Sequence, residues 1–137
     1  MLAGLAGGVA EIAWIGLYAA FSGGDAAEMA RGVALAASSG RTDSAVAGIA
    51  VHMLLAAALG IAIAFAWLRV AGRFGRVAEY GLVLLVLAAV WKVNFFVLLP
   101  LISPAFVSLL PLSATLTSKL LFGLAAAAVL RFRTARS

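Results

Sequence analysis

Long apolar runs separated by short charged stretches make up this chain. Nothing from Ser44 to Leu68 is charged, and four such runs lie near residues 2–21, 46–71, 77–99 and 113–131. A helix needs about 20 apolar residues to cross a hydrocarbon core, so each run is long enough to span a membrane. The pattern predicts an all-α integral membrane protein, a four-helix bundle forming a single transmembrane domain over residues 1–137. Two shorter pieces interrupt it. Asp25-Ala-Ala-Glu28 has the spacing of a capping box and predicts a helix over 26–38. Ser103-Pro104 places proline at a first helical position and predicts a helix over 104–110, closed by Pro111. Both read as interfacial helices on the outer side.

Charge then orients the spans. Arg69, Arg73 and Arg76 follow the second run, and Arg131, Arg133 and Arg136 follow the fourth. The opposite connections hold Arg31 and Arg41, offset by Asp25, Glu28 and Asp43, and an uncharged 101–112 loop. Arginine beside apolar runs marks the cytoplasmic face, which places both termini in the cytoplasm. The opening Met1-Leu-Ala-Gly carries no basic residue ahead of its apolar run, so a cleaved signal peptide is not expected. Each half reads as a span, an outer helix and a returning span. Ala13-Trp14-Ile-Gly-Leu-Tyr18 sits weakly against Val90-Trp91-Lys-Val-Asn-Phe95, as a duplicated hairpin would require.

Composition removes several chemistries. Asp, Glu, Lys and Arg together make up 11% of the chain, 66% is hydrophobic, and cysteine is absent. Disulfides, thiolate metal sites and iron–sulfur clusters need cysteine. The net charge of +5 comes without a basic stripe interleaved with aromatics, so nucleic acid is not an expected partner. No phosphate-binding glycine loop, zinc-protease motif or nucleophile–base pair is present, so no enzymatic activity, metal or cofactor is expected.

The remaining candidates are polar residues inside the spans: Glu11, His52, Lys92, Asn94 and Lys119. They fall in the middle or outer half of the membrane, with an apolar cytoplasmic half expected below them. Ionisable groups there are costly and need a partner or a function. Glu11 shares a helix seam with Gly4, Gly7, Trp14 and Tyr18, which turns it toward neighbouring helices. It is expected to pair with Lys92 or Lys119, or to be protonated. Lys92 and Lys119 have the simpler alternative of snorkelling to outer headgroups. Asn94 lies about half a turn from Lys92, toward the Trp91 face. His52 reads first as a core hydrogen bond, with ligation shared with another chain as the alternative. Trp67 and Tyr80, close to the arginines, read as an interfacial aromatic belt.

Trp91-Lys-Val-Asn94-Phe-Phe-Val-Leu-Leu-Pro100, Ser118-Lys119-Leu-Leu-Phe-Gly123 and Glu11-Ile-Ala-Trp14 resemble short bacterial four-span inner-membrane proteins of unknown function. Some of these carry a sodium:proline-symporter label. Amino-acid symporters of that kind have many more spans and broken helices, so no substrate or catalytic residue carries over. The leading functional expectation is a small accessory or structural subunit, packed against membrane lipids, other membrane subunits or its own copies. The alternative is a small transporter or channel with an outward-facing polar vestibule; a lipid- or quinone-binding module is the third. Gly4/Gly8, Ala56/Gly60 and Gly123/Ala127 offer close-contact faces for self-association.

Overall fold

The computed structural model describes residues 1–134, and every regular element among them is a helix. Helix α1 (Leu2–Ser22) ends at Gly23, whose φ of 74° only glycine adopts freely. Asp25 starts α2 (Ala26–Ala37) by accepting the Ala27 N–H at 2.8 Å. Ser44 does the same for α3 (Ala45–Val70) through the Ala47 N–H. Helix α4 (Arg76–Val93) passes through a π-helical turn (Asn94–Leu98) into α5 (Leu99–Ile102), giving one apolar rod over Arg76–Ile102. Pro100 explains the turn: it has no N–H to donate and its ring collides with the carbonyl four residues back, so the ladder widens ahead of it.

A short α6 (Pro104–Val107) follows, and α7 (Leu112–Thr134) closes the chain. Ser103 makes no side-chain cap. The expected 104–110 helix stops at Val107, where the Ser108 hydroxyl turns back to the Ala105 carbonyl. Helices α1, α3, Arg76–Ile102 and α7 are long and apolar enough to cross a membrane. Arg136 lies outside the described residues.

The four long helices stand in the order α3, α1, α7, α4. Three of their contacts close on glycine. Gly4 and Gly60 bring the α1 and α3 backbones together, and a Cβ on either would land inside the other's main chain. Gly7 of α1 lies under the Phe122 ring of α7, and Gly123 of α7 receives Leu87 and Leu84 of α4. The Gly4/Gly8, Ala56/Gly60 and Gly123 faces are therefore used inside one chain. They no longer argue for contact between copies.

Helices α3 and α4 meet only near the turn that joins them. There Trp67, 1% exposed, takes the edge of Tyr80 at 6.3 Å and 85°, with Ile63, Val83 and Leu87 buried around them. Trp67 is thus a core residue rather than part of an aromatic belt. The same end holds a buried carboxylate. Glu79, 2% exposed, accepts the Gly72 N–H at 2.7 Å and Arg131 Nη1 at 2.9 Å. The expected apolar half at this end has one exception: turn and last span are tied through this glutamate.

Candidate functional site

Glu11, on the small-residue seam of α1, is 5% exposed and faces α7 and α3. Its Oε1 lies 2.7 Å from Lys119 Nζ on α7, and its Oε2 lies 3.6 Å from His52 Nε2 on α3. Lys119 also sits over the Phe122 ring, 5.2 Å from its centroid, an attractive geometry for a cation. Lys119 therefore turns inward; its aliphatic stem does not carry the ammonium to the headgroups. His52 Nε2 is buried beyond hydrogen-bond distance of any partner among the described residues, so the expected core hydrogen bond is not formed.

Hydroxyls and indoles hold this cluster in place. Thr115 and Ser118 are buried one turn and one residue ahead of Lys119. Trp91 Nε1 donates to Thr115 Oγ1 at 3.0 Å, and that hydroxyl donates to the Leu112 carbonyl. Trp14 Nε1 donates to the Ala114 carbonyl at 3.0 Å. Both tryptophans thus bind adjacent positions at the start of α7, one from its own half of the chain and one from the other. They fix the depth of Lys119 relative to Glu11.

Beyond the contact at Trp67, α3 and α4 diverge and leave a cavity of about 1130 Å³. Glu11, His52, Lys119, Ser118, Thr115 and Asn94 supply its polar lining. The rest is aliphatic and aromatic, including Ile15 of α1, Leu59 of α3, Val86 and Val90 of α4 and Phe106 of α6. Its rims on α3 and α4 face outward: Leu55 is 64% exposed and Val93 52%. Helix α2 packs along α3 and reaches α6, with Gly32 pressed against Phe106 and Leu109. The far end is therefore roofed, the near end is filled by Trp67 and Tyr80, and the opening lies sideways, between α3 and α4.

Three of the five expected residues, Glu11, His52 and Lys119, meet. Asn94 lines the same cavity from the π-helical turn. Lys92 does not belong to the cluster: it is exposed on the outside of α4, about half a turn from Asn94. A second, smaller cleft of about 320 Å³ lies outside the roof and holds Glu28, Arg31 and Asp43. There Arg31 pairs with Asp25 at 3.0 Å and approaches Asp43 at 3.8 Å. The Ala27 N–H bond, helped by Arg31, holds the Asp25 carboxyl below the usual aspartate range. Among the described residues no three His, Asp or Glu side chains converge as metal ligands.

Sequence reasoning missed Glu79. Glu79 was detectable, since Glu79, Val83 and Leu87 form one stripe at four-residue spacing and all three are buried. No family model, curated protein or solved structure matches this chain.

Proposed function

We propose that this protein is a non-enzymatic membrane module that binds a lipid-soluble ligand, which enters sideways between α3 and α4. One observation carries the reading: an apolar cavity of about 1130 Å³, blocked at both ends of the bundle, with a buried charged cluster on its wall. Small-molecule pockets usually run to about 300–1,000 Å³ and combine apolar walls with a few placed polar groups. A spanning helix from another protein needs a groove open along about 30 Å. The roof of α2 and α6 and the Trp67–Tyr80 contact deny it that length, whereas a chain-like lipid needs only the side opening.

Composition and spacing favour an accessory subunit, and a ligand-binding module inside a larger assembly is compatible with that. Transport has less support. Trp67, Leu87 and Phe122, each buried, stand between the cluster and the arginine-rich end. The resemblance to short bacterial four-span proteins implies a bacterial cytoplasmic membrane, and the positive-inside rule puts the arginine-rich end inside.

Gly16 provides the test. It lines the cavity, and a Cβ added there meets nothing within 4 Å. Gly16→Phe should fill the space without disturbing the bundle, because glycine is a poor helix residue. Wild-type protein purified in mild detergent should retain about one equivalent of extractable lipid per chain, and Gly16→Phe should lose it with no fall in unfolding temperature. Equal lipid content in the two proteins would overturn the proposal.

A further inference from the structure

Among the described residues, Glu11, His52 and Lys119 are the ionisable groups on the cavity wall. The Glu11 carboxylate and the Lys119 ammonium 2.7 Å away cancel formally. That pair therefore offers polarity without net charge. Donor capacity is less balanced. An ammonium has three N–H donors and no acceptor. Glu11 takes one, and the Phe122 face lies against the same cation. Lys119 still lines the cavity with 17% of its side chain exposed, so donor capacity is left on the cavity side. His52 adds an imidazole whose buried Nε2 has no hydrogen-bond partner among the described residues.

An incoming head group meets two opposing demands. It must accept hydrogen bonds, because Lys119 has donors to satisfy. It must not bring a charge, because an added anion in this low-dielectric wall lies beside the Glu11 carboxylate, with which the Lys119 ammonium is already paired. Desolvating an ion that lacks its own partner is strongly unfavourable. A carbonyl oxygen meets both demands, whereas a carboxylate or phosphate meets only the first.

Building on the lateral-site reading, we infer that the ligand is a membrane lipid with an uncharged, carbonyl-bearing head. The carbonyl accepts from Lys119 beside His52, and the chain leaves between α3 and α4 past Val90. Quinones and diacylglycerols share this chemistry. Delipidated protein in detergent, titrated with short-chain probes and followed by native mass spectrometry, separates them: decylubiquinone, dioctanoylglycerol, decanoate and dioctanoyl phosphatidate. At least one neutral probe should bind about tenfold more tightly than either anion. Which neutral probe binds names the source.

Glu11→Gln then leaves the Lys119 charge unbalanced, and its affinity for decanoate should rise by about tenfold relative to wild type. Wild-type preference for decanoate or phosphatidate would overturn the head-group assignment while the lateral site stands, as would unchanged selectivity in an assembled Glu11→Gln protein. If that variant fails to assemble, the wild-type preference alone decides the assignment. If no probe binds and no lipid accompanies the purified protein, the lateral site itself fails.

Discussion

Removing the Glu79 carboxylate should loosen the arginine-rich end of the bundle. The side chain is 2% exposed and holds two charge-assisted contacts, the Gly72 N–H at 2.7 Å and Arg131 at 2.9 Å. Hydrogen bonds to charged groups contribute about 1.5–3 kcal/mol each. Breaking a buried ion pair by deleting one partner costs about 3–5 kcal/mol. Arg131 keeps 33% of its side chain exposed, so solvent and headgroups soften the loss on that side. Glu79→Ala should therefore destabilise by about 2–4 kcal/mol, and Glu79→Gln by less, since an amide oxygen still accepts from Gly72.

Equilibrium unfolding in mixed micelles, read by tryptophan fluorescence, is a suitable assay because Trp67 packs at this end. A double-mutant cycle with Arg131→Ala isolates the pair, and a coupling of about 1 kcal/mol or more is expected. Glu79→Ala within about 0.5 kcal/mol of wild type would refute the reasoning, since that is the range of an unremarkable surface change.

Gly60→Ala should cost about 1–3 kcal/mol, because its methyl group would occupy the Gly4 backbone and α1 must shift away. Gly16→Ala, into open space in the middle of α1, should instead stabilise by up to about 1 kcal/mol; a loss there comparable to Gly60→Ala would contradict the packing described. The depressed Asp25 carboxyl gives α2 a defined pH response. A carboxyl lowered in the folded state contributes stability above the unfolded aspartate value of about 3.9, and loses it as pH falls through the lower folded value. Amide exchange over 26–37, corrected for its intrinsic pH dependence, should stay flat from neutral pH down to that region and rise only below it. Asp25→Ala should show the raised exchange at every pH.

The spans were legible because a run of about 20 apolar residues has few other uses, and the caps because Asp25 and Ser44 bond local backbone whatever lies around them. Facing was harder to read. Helices α3 and α4 are apolar over most of their surface, and in a membrane neither lipid nor core is marked by hydropathy. Only small and polar residues mark a packed face. That is why the Gly4, Gly7, Glu11 seam turned inward as its spacing implies, and why Lys92 was misassigned to the cluster. Lys92 is exposed and Lys119 is paired, yet nothing local distinguishes the two. The distinction comes from Glu11, which is more than 80 residues away in sequence from either of them.

The same marks account for the position of the cavity. Helices can close only where some residue lets the backbones approach, and three of the four contacts around the bundle have such a residue: Gly4 with Gly60, Gly7 with Phe122, and Gly123 with Leu87. The fourth, between α3 and α4, has none. Gly60 and Gly48 of α3 are taken by Gly4 of α1 and Ala30 of α2, and Gly81 of α4 meets nothing within 4 Å. At its closed end the pair is wedged by two rings, Trp67 and Tyr80. Leu84 of α4 packs into Gly123 of α7 instead of toward α3, and Leu55 of α3 stands 64% exposed on the cavity rim. The glycines that let backbones approach are all taken up by other helix pairs, and so the opening falls between α3 and α4.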